Sequence, residues 1–193
     1  MRAFTLIEIL VVLAILGVLA GLVVPLIGSG QRESHKVECL NNVRNIVGLL
    51  EGEARYPGEG GPALILYLVK KGQIRGEDSL GMLFCPGDVH ESLAQAGGVD
   101  VYNDMSGDLG RLTSYAGRAM AAEGCRLSKG GPGAVLVCDD SEDHHDGRGY
   151  VVGLTGGAAK WRDKVDQWNL SRSAPVAPGE SSPVEELRCL AAD

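Results

Sequence analysis

The densest group of potential ligand residues is an acidic stretch, residues 139–146, which holds five carboxylic acids and two histidines. Hard cations such as Ca²⁺ take several oxygen ligands from a flexible loop. Calcium is therefore a candidate cofactor, and its donors would be Asp139, Asp140, Glu142, Asp143 and Asp146. The stretch lacks the alternating order of acids in an EF-hand loop, which favours a solvated acidic turn instead.

Zinc is a second candidate ligand for the same stretch, with Cys138, His144 and His145 as its donors. Adjacent histidines point to opposite sides of an extended strand, so the two rings would not converge on one ion. The chain also contains no C-x-x-C or H-E-x-x-H spacing. The pattern therefore favours zinc less than calcium.

Five cysteines are the other side chains that could carry chemistry. Domains outside the cytoplasm often form disulfides. We predict a Cys39–Cys85 bridge and a Cys125–Cys138 bridge, with Cys189 a free thiol near the C-terminus. Closing the first of these long loops would stabilise the fold by a few kcal/mol. A sequence alone does not fix the pairing, and buried free thiols are the alternative.

The motifs of common enzyme classes are missing from the chain. Neither the Gly-x-Ser-x-Gly elbow of a serine hydrolase nor a Walker phosphate loop occurs. The formal net charge of −7 argues against a surface that binds phosphates. We therefore expect neither enzymatic activity nor binding to nucleic acid.

A long apolar segment near the N-terminus is a candidate membrane span that would orient the rest of the chain. Ile9 to Gly30 contains no charged residue, and a helix of this length would span the hydrocarbon core of a bilayer. Glu8 directly precedes the segment, where a carboxylate is costly unless it has a partner. Arg2 favours a cytoplasmic N-terminus, which places the bulk of the chain across the membrane.

The first residues carry a family resemblance. Ala3-Phe4-Thr5-Leu6-Ile7-Glu8 before a long apolar helix resembles the leader of type IV pilins and type II secretion pseudopilins. The resemblance implies that prepilin peptidase cuts between Ala3 and Phe4 and methylates the new Phe4 amine. Glu8 matches the family glutamate that pairs with the amine of a neighbouring subunit, and Pro25 matches the proline that interrupts the family's helix. Ala3 departs from the family, where glycine usually precedes the cut.

Short motifs in the rest of the chain resemble one prepilin-like family that is similar to the major pseudopilins. They are Cys39-Leu40-Asn41-Asn42, Cys85-Pro86-Gly87-Asp88 and Thr113-Ser114-Tyr115. The family is also marked by a histidine, nine residues, and then Asp-Gly. Here His145 is followed at that spacing by Thr155-Gly156, so threonine replaces the aspartate. Because major pseudopilins hold calcium in a C-terminal loop, the resemblance also supports calcium at the acidic stretch.

The predicted fold is α+β, a pilin-like lollipop in which a long N-terminal helix packs on a small head with an antiparallel sheet. The helix is transmembrane and then amphipathic, because apolar residues after Arg32 recur at steps of three and four. This stripe is Val37, Leu40, Val43, Ile46, Val47 and Leu50. The predicted boundaries are a leader at 1–3, a transmembrane helix at 4–30, a stalk helix at 31–55, a head at 56–170 and a flexible tail at 171–193.

Within the head, apolar runs between turn residues predict two short helices and four strands. The helices are expected over 62–71 and 89–96, and the strands over 113–118, 134–139, 149–154 and 158–162. Thr155-Gly156-Gly157 would join the last two strands as a β-hairpin.

The sequence thus predicts a structural subunit of a type II secretion pseudopilus or a type IV pilus-like filament. Before assembly it would cross the inner membrane once, with its head in the periplasm, and afterwards it would lie in a periplasmic or extracellular filament. Expected partners are further copies of the chain, prepilin peptidase, other pseudopilins, the inner-membrane assembly platform and membrane lipid. The alternative is a membrane-anchored extracytoplasmic binding module that uses a pilin-type leader.

Overall fold

A computed structural model describes residues 5–88, 92–105, 108–131 and 133–192, without the side chains of 22–29, 142 and 143. The chain forms two compact units, Met1–Ser34 and His35–Asp193. Helix α1, Leu6–Gly52, begins in the first unit and ends in the second. Its backbone is helical through Pro25, so the predicted interruption there is not observed. A proline removes one hydrogen bond from a helix, and the rest of the ladder can persist.

The first unit consists of the N-terminal part of α1. Residues 5–21 are all exposed in the single chain, including large apolar side chains such as Leu6, Leu13 and Val18. Over the described residues, no helix combines the length and the apolar character needed to cross a membrane. The membrane span therefore stays a prediction.

The second unit is built on a five-stranded antiparallel sheet with strand order β4-β3-β2-β1-β5. The strands are β1 Tyr115–Arg118, β2 Val135–Asp139, β3 Gly149–Leu154, β4 Ala158–Asp163 and β5 Leu190–Ala191. Four of them are the predicted strands. Strands β3 and β4 form the predicted hairpin, and its turn places Gly156 and Gly157 at positive φ of 90° and 83°. The α+β class is therefore confirmed.

Helices cover one face of the sheet. From α1 the buried residues are Cys39, Val43, Ile46, Val47 and Leu50, which is the predicted stripe except that Val37 is exposed, Leu40 is half-buried and Cys39 joins it. Helix α2, Pro62–Lys70, lies where it was predicted, and the short helix α3, Glu77–Gly81, follows it. Glycine in β3 permits the close contact with α1, because a Cβ at Gly153 would lie 2.4 Å from Val47 Cγ2.

The C-terminal segment covers the other face, so the prediction of a flexible tail over 171–193 is wrong. Val176, Val184, Leu187 and Leu190 are buried against the outward side chains of the strands. The segment ends in β5, which pairs with β1. Apolar residues spaced among the prolines and serines supply the burial that a disordered tail lacks.

Helix α1 ends at Gly52, before the predicted boundary at 55, and residues from later in the chain contact its last turn. Lys129 Nζ donates to the Leu50 carbonyl oxygen at 2.6 Å and lies over the Tyr56 ring. Glu51 accepts from the backbone N–H of Gly156 at 3.0 Å. Cations at a helix C-terminus satisfy its free carbonyl groups, so Lys129 acts as a C-terminal cap.

Candidate functional site

The start of α1 is closed by a reciprocal pair of residues. The Glu8 carboxylate accepts from both the backbone N–H and the hydroxyl of Thr5 at 2.8 Å. The Glu8 N–H in turn donates to the Thr5 hydroxyl oxygen at 3.4 Å. This is a capping box, in which Thr-x-x-Glu satisfies N–H groups that have no partner within the helix. Glu8 is exposed and has its partners within its own chain.

The structure describes the other predicted N-terminal site residues only in part or not at all. Ala3 and Phe4, the predicted cleavage and methylation residues, are outside the described residues. Pro25 is placed in the helix by its backbone only. Its assembly role, like the cleavage and methylation, remains a prediction.

A second site lies inside the head, where two cysteines, an aspartate and a histidine converge. One donor atom from each of Cys39, Cys85, Asp139 and His145 lies within 4.8 Å of the others. Cys39 Sγ donates to Asp139 Oδ1 at 3.0 Å. His145 Nε2 lies 3.6 Å from Cys85 Sγ and 3.4 Å from Asp139 Oδ2. All four side chains are largely or wholly buried.

Four separate elements bring these residues together. Cys39 faces the sheet from α1, and Asp139 is the last residue of β2. His145 ends a 3₁₀ turn, Glu142–His145, between β2 and β3. Cys85 follows α3 in a turn that touches this 3₁₀ turn, because a Cβ at Gly87 would lie 1.9 Å from the carbonyl oxygen of His144. The glycine of Cys-Pro-Gly-Asp is therefore needed for the approach.

The hydrogen bonds around Asp139 explain how a carboxylate is tolerated in the core. Its Oδ2 accepts from the Val151 N–H at 2.7 Å, and Tyr115 Oη lies 3.5 Å from Cys39 Sγ. Burial alone would raise the pKa of Asp139, but His144 and His145, whose ring nitrogens lie 3.9 Å and 3.4 Å from its carboxylate oxygens, hold the pKa below its usual value. Buried charges persist only when they are paired in this way.

Burial and nearby charged groups also shift the pKa values of the neighbouring cysteines and histidines. The adjacent Cys39 thiol, followed by the two histidines, lowers the pKa of Cys85 to about 4 despite burial. Burial opposes protonation of His144 and His145, but Asp139 and Cys85 raise their pKa values to about 11 and about 9. Burial, together with Cys85 and Asp139, raises the pKa of Cys39. The cluster therefore favours a Cys85 thiolate.

A second histidine flanks the cluster. His144 Nε2 lies 3.1 Å from Asp88 Oδ2 and 3.4 Å from Asp140 Oδ1. Its Nδ1 is buried without a hydrogen-bond partner, and the nearby Asp139 Oδ1 is 3.9 Å away. Asp88 therefore orients a ring whose other nitrogen faces the cluster.

The geometry at His145 does not match a Cys–His–Asp catalytic relay. Such a relay uses one ring nitrogen for the thiol and the opposite nitrogen for the carboxylate. Here the same atom, His145 Nε2, faces both Cys85 and Asp139. Convergence of several donors on one point is instead what metal ligands require.

The predicted disulfides are corrected by the structure. Cys125 pairs with Cys189, while Cys39, Cys85 and Cys138 are free and buried. Cys189 is adjacent to β5, whose pairing with β1 brings it within reach of Cys125. Cys138 faces the sheet side covered by the C-terminal segment, away from the cluster. Successive residues of a strand point to opposite faces, which separates Cys138 from Asp139.

The calcium donor set is also not assembled by the described side chains. Asp139 points into the cluster, Asp140 contacts His144, and Asp146 is exposed. The side chains of Glu142 and Asp143 lie outside the described residues. For zinc, the set Cys138, His144 and His145 is wrong because Cys138 points away. The sequence motifs had marked Cys39, Cys85 and His145 separately, and the predicted Cys39–Cys85 bridge was the signal that two of them lie close together.

Residues 1–24 match the family model of the prokaryotic N-terminal methylation motif. No curated protein and no solved structure is significantly similar to the chain. Residues 1–24 therefore carry the N-terminal methylation signature, which is the leader signature of type IV pilins and pseudopilins.

Proposed function

We propose that this chain is a prepilin, cut between Ala3 and Phe4, methylated at Phe4 and assembled through α1 into a helical filament. The filament would be a type II secretion pseudopilus or a type IV pilus-like fibre. The observation that carries the proposal is the methylation motif at 1–24. It is supported by the exposure of every residue from 5 to 21 in the single chain.

Exposed apolar side chains on a helix have to be shielded from water. Before assembly, membrane lipid would shield them, and in the filament the helices of other copies would replace lipid. The exchange gains little hydrophobic energy, so close packing has to drive association. Gly17 and Gly21 favour this, because a Cβ at either position would meet nothing within 4 Å, which leaves room for a neighbouring backbone.

Glu8 would fix the register between copies. In the single chain its carboxylate accepts two hydrogen bonds from Thr5. Cleavage before Phe4 would create a cationic amine, and the amine of a neighbouring copy is a stronger partner than a neutral hydroxyl. The head would then lie in the periplasm, and other pseudopilins and the inner-membrane assembly platform would be its partners.

Intact mass and N-terminal sequencing of the membrane-purified chain test the processing step. We expect a chain that begins at Phe4 and carries one added methyl group. Ala3→Gly restores the residue usual before the cut and should be processed at least as completely. Ala3→Asp should block processing. A wild-type chain that still begins at Met1, or one cut after the apolar segment, would contradict the proposal.

Shearing of intact cells tests the assembly step separately. Long sheared fibres that contain the chain indicate a pilus, and short envelope-bound fibres indicate a pseudopilus. Processed chain found only as membrane-anchored monomers would reject filament assembly and favour the binding module.

A further inference from the structure

We infer that Cys39, Cys85, Asp139 and His145 form a zinc-binding site within the head. The site would be structural, because its four protein donors leave no position for a substrate. This inference is independent of filament assembly, since all four residues belong to the unit His35–Asp193.

The distances between donors fit one tetrahedral ion. Zinc bonds of about 2.0–2.3 Å to nitrogen, oxygen and sulfur give separations between ligand atoms of about 3.3–3.8 Å in a tetrahedral site. The structure places His145 Nε2 at 3.6 Å from Cys85 Sγ and at 3.4 Å from Asp139 Oδ2. Cys39 Sγ is 3.0 Å from Oδ1 of the same carboxylate, and one donor atom from each of the four residues lies within 4.8 Å of the others.

The donor types select the metal. Two thiols and an imidazole are poor ligands for calcium or magnesium, which prefer oxygen, and they suit zinc. The surroundings also support deprotonated ligands. Tyr115 Oη lies 3.5 Å from Cys39 Sγ, and the Val151 N–H donates to Asp139 at 2.7 Å. Partners of this kind orient metal ligands and raise affinity.

The state of the cysteines gives a further argument. The chain closes Cys125–Cys189 as a disulfide, while Cys39 and Cys85 remain thiols with sulfurs within 4.8 Å of each other. Two such close thiols would be prone to oxidation in an oxidising compartment. Zinc would hold both as thiolates and connect positions 106 residues apart in the chain (145 − 39).

Metal analysis of the full-length chain in detergent micelles is the direct test. We expect one zinc per chain by elemental analysis and by native mass spectrometry. Replacement with Co²⁺ should give sulfur-to-cobalt charge-transfer absorption and the visible bands of a tetrahedral site. Removal of zinc with a chelator should lower the melting temperature of the head, and added zinc should restore it.

Variants assign the ion to these residues. Cys39→Ser and His145→Ala should weaken zinc binding by more than about 100-fold, which exceeds the usual cost of changing an outer partner. His145→Cys should retain one zinc, because it replaces one good ligand with another. Cys138→Ala and His35→Ala are matched controls outside the cluster and should bind zinc like the wild type.

Comparison of His145→Ala with His145→Cys distinguishes a zinc ligand from a residue that only supports the fold. A variant that only misfolds would lose the fold in His145→Ala and His145→Cys alike, whereas a ligand position accepts cysteine. A Cys39–Cys85 disulfide in the isolated chain, with no zinc uptake after reduction, would overturn the inference. Zinc binding that is equal in Cys39→Ser and wild type would overturn it too, since the ion would then lie elsewhere.

Discussion

The two units of this molecule differ in the exposure of apolar side chains on α1 and of one hydrogen-bonded carboxylate, which are exposed in the first unit and buried in the second. In the N-terminal unit Leu6 is 82% exposed and Ile7 68% exposed, whereas Val43 and Ile46 of the same helix are completely buried in the head. Glu8 is exposed and held by Thr5, three residues away. Asp139 is buried and held by Cys39, which is 100 residues away.

This contrast separates two kinds of design. In the proposed filament, other copies of the chain cover the N-terminal unit, so its sequence is a local pattern that a partner recognises. The head is complete in itself, and its polar interior depends on contacts between distant parts of the chain. Changes in the first unit should therefore affect assembly, and changes in the second should affect stability.

The largest effect is expected at Glu8. Glu8→Ala should abolish filaments while leaving membrane insertion and the melting of the head unchanged, because it removes the carboxylate that we propose to pair with a neighbouring amine. Filaments are counted by electron microscopy after shearing. Both tryptophans, Trp161 and Trp168, lie in the head, so their fluorescence reports head melting alone.

Glu8→Gln is the matched control for helix capping. Glutamine can complete a capping box but carries no charge. If filaments fail to form with glutamine as with alanine, the charge is what matters. Normal filaments from Glu8→Ala would contradict the proposed role of this residue.

The second largest effect should come from the Cys125–Cys189 disulfide. Replacing both cysteines with serine opens a loop with a sequence separation of 64. The chain-entropy model gives a loss of about 4 kcal/mol in the free energy of unfolding. Chemical denaturation followed by tryptophan fluorescence measures it. Processing at Ala3 should be unaffected, and an unchanged denaturation midpoint would show that the bridge does not constrain the unfolded chain.

The same contrast explains what could be predicted from the sequence. The leader, the amphipathic stripe and the β3–β4 hairpin depend on neighbouring residues, and the sequence predicted the hairpin and four of the six residues of the stripe correctly. The partner of Cys125 depends on where β5 docks, which no local pattern records. The flexible tail was predicted from its prolines and serines, although Val176 and Leu187 bury there.

The candidate zinc site was missed for the same reason. Its ligands occupy positions 39, 85, 139 and 145, without the close spacing of a familiar metal motif. Each residue had been assigned elsewhere, two to a disulfide, one to calcium and one to a different zinc set. Only the register of β2 decides that Asp139 faces the cluster and Cys138 faces away.

A smaller loss of stability is expected from a substitution at the contact between α1 and β3. Gly153→Ala should destabilise the head by about 1–3 kcal/mol, the usual cost of overpacking a core. The added Cβ would lie 2.4 Å from Val47 Cγ2 and 2.8 Å from Val43 Cγ1. The head melting temperature is the measurement.

Gly48→Ala provides a control of opposite sign on the same helix. A Cβ at Gly48 would meet nothing within 4 Å, and alanine in a helix is favoured over glycine by about 1 kcal/mol. The chain should therefore melt at a higher temperature. A higher melting temperature in Gly153→Ala as well would show that the close contact between α1 and β3 does not limit stability here.

The smallest effect is expected at Lys129, which caps the end of α1. Lys129→Met keeps the aliphatic stem but loses the hydrogen bond to the Leu50 carbonyl oxygen and the ion pair with Glu51 at 3.4 Å. We expect a loss of about 1 kcal/mol, because both groups of the pair are partly exposed to water. Lys160→Met, on the exposed side of β4, should change stability by less. A loss in Lys129→Met that persists at high salt would assign the effect to the hydrogen bond, since salt screens the ion pair. No measurable loss would mean that the sheet alone ends the helix, through the N–H of Gly156 that binds Glu51.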